Sequence, residues 1–140
     1  RTFSQQIEKQ QIEYQQELAE GTHRILGDED RIIQVLVNLW SNAIKFSDPE
    51  EGKIRLKTRV VENNIELYFR NNGKQIPISE RQRIFDRFTQ LQDNELGKPQ
   101  GSGLGLYICQ HILEQHNGSI TLDEHPDWAT SFRIQLPRRH

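Results

Sequence analysis

Two neighbouring stretches in which apolar and polar residues alternate strictly constrain the fold of this chain most. In residues 53–60 every second position is Ile, Leu, Thr or Val, and the intervening positions are Lys or Arg. Residues 65–69 repeat the alternation with Ile, Leu and Phe. A period of two buries one face of a β-strand and exposes the other. Asn63 and Asn64 are typical of a turn, so the pattern predicts an antiparallel hairpin.

Four further strands are indicated by weaker signals of the same kind. Alternation at residues 12–16 and the apolar pair Ile25-Leu26 predict two strands near the beginning of the chain. Two alternating runs, at residues 120–122 and 132–136, predict a second pair at its end.

Three segments predict helices. Residues 28–46 contain neither Gly nor Pro, and their acidic first turn suits the positive end of a helix dipole. Residues 103–116 have apolar residues at helical spacing and stop at Asn117-Gly118, a typical helix end. Ser79 opens a capping-box pattern that predicts a short helix. The order of elements predicts an α+β fold, a two-layer sandwich in which a mixed, mostly antiparallel sheet of about five strands carries three helices on one face.

Composition limits the classes of function. The 140 residues, 34% hydrophobic and 27% charged, suit one compact domain, which we assign to residues 11–140, with residues 1–10 as the tail of a preceding helix or linker. The net charge is −2 and the pI about 6.2, so we expect neither a nucleic-acid partner nor direct membrane contact. The single cysteine, Cys109, excludes an internal disulfide and indicates a cytoplasmic setting.

The helix at residues 28–46 carries a polar stripe that a solvated face alone explains poorly. At 100 degrees per residue, six polar side chains fall inside an arc of about 100 degrees: Arg31, Gln34, Asn38, Ser41, Asn42 and Lys45. Asn is a poor helix former, and a solvated face more naturally holds Glu, Lys or Gln. Two amides and an ammonium in line suit a magnesium-bound polyphosphate. An ordinary solvated face remains the alternative.

A glycine-rich segment, residues 101–106, leads directly into the helix at residues 103–116. Backbone N–H groups at the positive end of a helix dipole bind phosphate. The spacing differs from a dinucleotide fingerprint, and no GxxxxGK[ST] motif is present. Glycines that serve close helix packing are the alternative.

In order, these segments resemble the catalytic ATP-binding domain of sensor histidine kinases, in the superfamily shared with type II topoisomerases, Hsp90-like chaperones and MutL-like repair proteins. Residues 34–46 (QVLVNLWSNAIKF) resemble the N box, and residues 84–88 (IFDRF) resemble the F box. Residues 101–106 resemble the second glycine box, and residues 129–132 (ATSF) the closing strand. The resemblance implies a Bergerat fold with a flexible ATP lid at residues 89–102, and ATP and Mg²⁺ as cofactors.

The resemblance also implies roles for individual residues. Asn42 is the expected principal magnesium ligand, assisted by Asn38, while Lys45 and Arg87 are expected to contact the phosphates. The expected nucleotide-binding residues are Asn42, Phe46, Asn71, Gly73, Ile76, Phe88, Gly101, Gly103, Leu104 and Gly105. Asn38 stands where the ATPases of this superfamily have a general-base Glu. An amide cannot take up a proton, so we expect slow ATP hydrolysis.

The first glycine box departs from the family's D-x-G-x-G. Here Asn71 replaces the Asp that accepts a hydrogen bond from the adenine amino group, and Gln75 replaces the second glycine. An amide loses charge assistance and can present a donor instead of an acceptor. Two functions therefore stay open. One is transfer of the γ-phosphate of ATP to a histidine, and the alternative is a degenerate nucleotide-binding or interaction module with little kinase activity.

The phosphoacceptor histidine of the family lies in an H-E-x-x-x-P context, which this chain lacks. We therefore expect the histidine on a separate dimerisation and phosphotransfer domain, a response regulator as a further partner, and a homodimeric full-length protein. His111 and His116 are five residues apart on a helix and do not face one another, so we interpret both as surface residues.

Overall fold

The computed structural model describes residues 12–19, 24–25, 27–81, 83–86 and 105–139. In chain order the elements are β1 (Glu13–Glu17), β2 (Arg24–Ile25), α1 (Glu29–Phe46), β3 (Lys53–Val61), β4 (Asn64–Asn71), a 3₁₀ turn (Ile78–Glu80), α2 (Gly105–Gln115), β5 (Ser119–Leu122) and β6 (Thr130–Arg139). The tail proposed for residues 1–10 lies outside the described residues. None of the described helices is both long enough and apolar enough to cross a membrane.

A six-stranded mixed sheet forms one layer of the molecule. Strands β1, β3, β4 and β6 are neighbours in that order; β6 also pairs with β5 and, near its end, with β2. The β1–β3 pair is parallel and the other pairs are antiparallel. The predicted α+β class and mixed, mostly antiparallel sheet are confirmed.

The β3–β4 hairpin confirms the alternation, with the turn one residue earlier than predicted. Val61 pairs with Asn64, so the turn residues are Glu62 and Asn63, and Glu62 has a φ of 55°. Asn64 already belongs to β4. The two asparagines marked the turn, but pairing of the strands decided its exact position.

The predicted count of three helices was wrong, since the described residues contain two α-helices. The pattern that begins at Ser79 forms only a 3₁₀ turn, whose N-cap is Pro77, without a side-chain capping bond. Arg83, Ile84 and Phe85 lie in a turn. Ile84 is 2% exposed and packs in the core, so this part of the chain contributes a buried side chain where the sequence predicted a short helix.

Helix α1 begins and ends as the sequence predicts. The Asp28 carboxylate accepts hydrogen bonds from the backbone N–H groups of Asp30 (3.0 Å) and Arg31 (3.4 Å). Such a cap stabilises a helix by about 1 kcal/mol. At the other end, the Ser47 hydroxyl donates to the Ile44 carbonyl at 3.0 Å. Both ends of the helix that carries the polar stripe are therefore fixed.

The core lies between the helices and one face of the sheet. Val35 and Leu39 from α1 meet Cys109, Ile112 and Leu113 from α2, and each of these side chains is at most 1% exposed. The sheet contributes alternate residues, among them Phe69, Phe132, Ile134 and Leu136. A second cluster surrounds the end of α1, made of Ile12, Ala43, Ile44 and Ile54. The helices thus pack on one face, as predicted.

His116 joins the end of α2 to the beginning of α1, so its interpretation as a surface residue was wrong. Its Nδ1 lies 2.8 Å from the Ile112 carbonyl, and its Nε2 accepts the backbone N–H of Asp28 at 3.0 Å. A Cβ on Gly27 would come within 2.3 Å of the His116 ring. Beyond it, Asn117 has a φ of 60° and Gly118 N–H donates to the Leu113 carbonyl at 2.7 Å, which confirms the predicted helix end.

Candidate functional site

A cleft opens between the end of α1, the beginning of α2 and the adjacent ends of β4 and β6. Ten residues line it: Asn42, Phe46, Asn71, Lys74, Gln75, Ile76, Pro77, Leu106, Thr130 and Phe132. The lining combines aromatic and aliphatic side chains with a few amides, one hydroxyl and the Lys74 ammonium, which is the usual composition of a small-molecule site.

The polar stripe of α1 divides at this cleft. Asn42 and Phe46 line it. Asn38 is half-buried one turn earlier, and its amide nitrogen lies 3.5 Å from the Gly105 carbonyl at the beginning of α2. Lys45 is exposed, with its ammonium 5.7 Å from the centre of the Phe46 ring. The stripe therefore offers one amide inside the cleft, one amide between the helices and one cation beside the Phe46 ring.

Asn71 and Thr130 form the polar part of the cleft floor. They are register partners across the β4–β6 pair and are 3% and 6% exposed. The Asn71 amide nitrogen donates to the Asn72 carbonyl at 2.7 Å, which leaves the amide oxygen as an acceptor. The Thr130 hydroxyl is buried and has no hydrogen-bond partner among the described residues. Buried polar groups are normally satisfied, so this hydroxyl indicates a missing ligand or water.

The segment after β4 closes one side of the cleft. Gly73 has a φ of +110°, and a Cβ there would lie 2.1 Å from the Phe46 carbonyl, so only glycine fits against the end of α1. Arg81 holds the following residues in place, because its guanidinium donates to the Ile76 carbonyl at 3.3 Å and pairs with Glu124. Gly73 thus allows the backbone after β4 to lie close against the end of α1, and it does not itself line the cleft.

Several predicted site residues lie outside the described residues: Arg87, Phe88, Gly101, Gly103, Leu104 and the lid at residues 89–102. Gly105 is described and begins α2, and a Cβ added there would meet nothing within 4 Å. Of the predicted nucleotide-binding residues, the structure brings together Asn42, Phe46, Asn71 and Ile76 in the cleft.

The sequence interpretation missed several lining residues, among them Lys74, Pro77, Leu106, Thr130 and Phe132. A signal for two of them was present. In β6, residues 130, 132 and 134 share one face of the strand, which is the face that Ile134 buries in the core. The same alternation places Asn71 on the face of Phe69 in β4.

Cys109 lies in the core between the two helices, and its thiol is uncharged at neutral pH. Burial raises its pKa from 9.0 to about 11, and the nearby Asn38 amide opposes the shift. The thiol donates weakly to the Val35 carbonyl, at 3.7 Å. This residue therefore packs in the core as a small apolar side chain.

Residues 27–140 match the family described as histidine kinase-, DNA gyrase B- and HSP90-like ATPases. The sensor-like histidine kinase SenX3 of Mycolicibacterium smegmatis is 34% identical over 115 residues, 82% of this chain and 30% of the relative. The sensor histidine kinase RcsC of Escherichia coli is 38% identical over 111 residues, 79% of this chain and 12% of the relative. The chain therefore spans less than a third of the length of these relatives.

Solved structures of histidine kinases have the same fold. The nucleotide-free catalytic domain of the histidine kinase ThkA superposes with a TM-score of 0.81 at 30% identity, covering 97% of this chain and 85% of that one. ThkA in complex with the response regulator TrrA gives 0.80 at 29% identity, covering 99% and 37%. Full-length ShkA in complex with AMPPNP gives 0.81 at 25% identity, covering 98% and 28%.

Proposed function

Because the chain belongs to the family of histidine kinase-, DNA gyrase B- and HSP90-like ATPases, we propose that it binds Mg-ATP and donates the γ-phosphate to a histidine on a separate domain. Its curated relatives are sensor histidine kinases. The phosphotransfer belongs to two-component signal transduction, with a response regulator as the later acceptor and a homodimer as the full-length assembly.

The unpartnered Thr130 hydroxyl carries the proposal. It lies beside the Asn71 amide at the floor of an otherwise largely apolar cleft. A flat heteroaromatic base with donors and acceptors on one edge satisfies both groups and covers the apolar walls. Asn71 oxygen accepts from the adenine amino group, and the Thr130 hydroxyl bonds a ring nitrogen directly or through water. Phe46 and Ile76 lie beside the base.

The phosphate end of the nucleotide is expected on the α1 side of the cleft. Magnesium keeps several waters and takes few protein oxygens beside the phosphates, so the Asn42 amide oxygen suffices as a principal ligand, assisted by Asn38. When bound, the ion neutralises phosphate charge. Lys45 adds a cation from the exposed side of α1. Arg87 and the glycines at 101, 103 and 105 complete the proposed phosphate contacts, with Phe88, Leu104 and the lid at residues 89–102 over the nucleotide.

Asn38 makes the domain a phosphate donor and a poor hydrolase. Its amide donates toward the Gly105 carbonyl and cannot accept a proton from an attacking water. An imidazole nucleophile needs no such base, since its lone pair attacks directly. Catalysis then depends on holding the γ-phosphate in line and neutralising its charge.

The test is a chimera in which this chain replaces the corresponding region of the Mycolicibacterium smegmatis relative. Incubated with ATP labelled at the γ-phosphate, the chimera should gain an acid-labile, base-stable label on histidine. Asn42→Ala in the same chimera should abolish the label. The isolated chain should release phosphate from ATP at close to the background rate. A chimera that binds an ATP analogue but gains no label contradicts the proposed transfer.

Asn71 and Gln75 favour a second candidate, a degenerate nucleotide-binding or interaction module. Both side chains line the cleft where the family has Asp and Gly. Loss of charge assistance to the base costs about 1 kcal/mol or more. This candidate predicts no detectable binding heat at millimolar nucleotide, whereas the kinase function predicts saturable binding.

A further inference from the structure

Asn72 directly follows Asn71, which lies at the cleft floor, and it connects the end of β4 to the loop that follows α1. Its side-chain oxygen accepts the backbone N–H groups of Lys53 (2.8 Å) and Asp48 (3.2 Å). Its side-chain nitrogen donates to the Glu51 carbonyl at 2.7 Å. The Asn72 backbone N–H donates to the Lys53 carbonyl at 3.1 Å. Four hydrogen bonds thus fix this one residue against residues 48–53.

Only a carboxamide satisfies this arrangement. One terminal atom of the side chain must accept two hydrogen bonds, and the other terminal atom must donate one. An aspartate keeps the two accepted bonds but places an oxygen against the Glu51 carbonyl. The loop itself is closed, since the Asp48 carboxylate accepts the N–H groups of Glu50 and Glu51, both at 2.9 Å. Asn72 is therefore attached to a preformed turn.

The consequence for the cleft lies in the backbone carbonyl of Asn72. That carbonyl accepts the amide nitrogen of Asn71 at 2.7 Å, and Asn71 is 3% exposed. The side-chain amide of Asn71 could present either its oxygen or its nitrogen to a ligand. The fixed Asn72 carbonyl takes the nitrogen, so the oxygen is left for the ligand. An aspartate at position 71 would present an acceptor oxygen in either orientation.

We propose that Asn72 is a specificity-determining positioning residue, which holds the Asn71 amide as an acceptor and so selects adenine over guanine. This inference rests on the proposed nucleotide binding. Adenine presents an amino donor where guanine presents a carbonyl acceptor. With its oxygen toward the ligand, Asn71 bonds adenine and repels guanine; with the amide reversed, the preference inverts.

The experiment measures the dissociation constants of ADP and GDP with magnesium, by calorimetry, for the wild-type chain and for Asn72→Ala and Asn72→Asp. Circular dichroism establishes that each variant is folded at the temperature of the titration. Asn64→Ala, at the opposite end of β4, is the matched control. We expect the wild type to prefer ADP at least tenfold, both Asn72 variants to lose most of that preference, and Asn64→Ala to keep it.

A purely structural role for Asn72 predicts that both dissociation constants rise together and that their ratio stays constant. That outcome overturns this inference alone. A wild-type chain that binds neither nucleotide overturns the proposed function, and this inference with it.

A second set of variants, made in the Asn71→Asp chain, tests whether Asn72 acts through the orientation of the Asn71 amide. In Asn71→Asp the carboxylate accepts in either orientation, so adding Asn72→Ala should leave the ADP to GDP ratio unchanged within about twofold. A ratio that falls as far in this background as in the wild type would show that Asn72 acts by a route other than Asn71.

Discussion

Asn71 and Thr130 face each other across the β4–β6 pair, and together they put one amide and one hydroxyl at the floor of the cleft. Their situations differ. The Asn71 nitrogen is bonded to the Asn72 carbonyl, whereas the Thr130 hydroxyl has no partner among the described residues. A buried hydroxyl without a partner costs on the order of 1–3 kcal/mol. A bound base that bonds this hydroxyl, directly or through water, would remove that cost.

Thr130→Val separates binding from stability. The substitution removes a hydroxyl that makes no bond within the described part of the unliganded chain, so the melting temperature should stay constant or rise. Binding of an ATP analogue should weaken about five- to tenfold, the value of one hydrogen bond. Calorimetry and thermal unfolding measure the two effects.

Thr58→Val is the matched control for this prediction. The Thr58 hydroxyl accepts the backbone N–H of Ala19 at 2.7 Å, and neither residue lines the cleft. Its loss should lower stability by about 1 kcal/mol and leave nucleotide affinity unchanged. If Thr130→Val instead destabilises the free chain and binds nucleotide normally, the hydroxyl has a structural role only.

Asn71→Asp should tighten adenine nucleotide binding about five- to tenfold, because the bond to the amino group gains charge assistance. The free chain should become less stable, since the carboxylate is buried and the bond to the Asn72 carbonyl is lost. Calorimetric titration and urea unfolding test the two halves of the prediction. Asn64→Asp makes the same charge change away from the cleft; equal effects of both substitutions would refute a local cause.

Cys109 makes stability depend on alkaline pH. Its folded pKa is raised to about 11 from 9.0, so between these values the folded state holds a proton that the unfolded state has lost. The stabilisation is complete below pH 8 and declines as pH rises through this window, by roughly 2 kcal/mol at pH 10.5. Urea unfolding of wild type and Cys109→Ser at pH 8 and pH 10.5 isolates the contribution. If the two proteins lose stability in parallel, the thiol is not responsible.

His116→Phe keeps a ring but removes the nitrogen that accepts the Asp28 N–H. We expect a loss of about 1–2 kcal/mol in the free energy of unfolding, because the helix end loses a partner. His111 is exposed and stacks on Tyr107, so His111→Phe should cost less than about 0.5 kcal/mol. Equal, small effects would restore the interpretation of His116 as a surface residue.

Local signals in the sequence predicted the helices and strands well where one or two residues determine where the element begins or ends. Asp28 at the beginning of α1 and Asn117-Gly118 after α2 are confirmed, and strict alternation located β3 and β4. The capping-box pattern at Ser79 failed because the described residues there form a 3₁₀ turn, and nearby Ile84 is buried in the core. Position along the chain does not reveal that burial.

The part of the site that was predictable consists of the residues that lie in recognisable sequence motifs. Asn42, Phe46, Asn71 and Ile76 were expected in one site and meet in the cleft. The hydrogen bonds of Asn72 to residues 48–53 and of His116 to Asp28 join segments 19 to 88 residues apart. No periodicity encodes such contacts, because they depend on how the folded elements are stacked. The unpartnered state of Thr130 likewise exists only in three dimensions.

The central claim is that this cleft binds Mg-ATP, and a calorimetric titration with a non-hydrolysable ATP analogue tests it most directly. With magnesium, the wild-type chain should show one saturable site. Asn42→Ala, or removal of the metal with EDTA, should weaken binding at least tenfold, while the exposed neighbour Ser41→Ala should bind as the wild type does. No detectable heat at millimolar ligand, or equal binding by Asn42→Ala, would contradict the account.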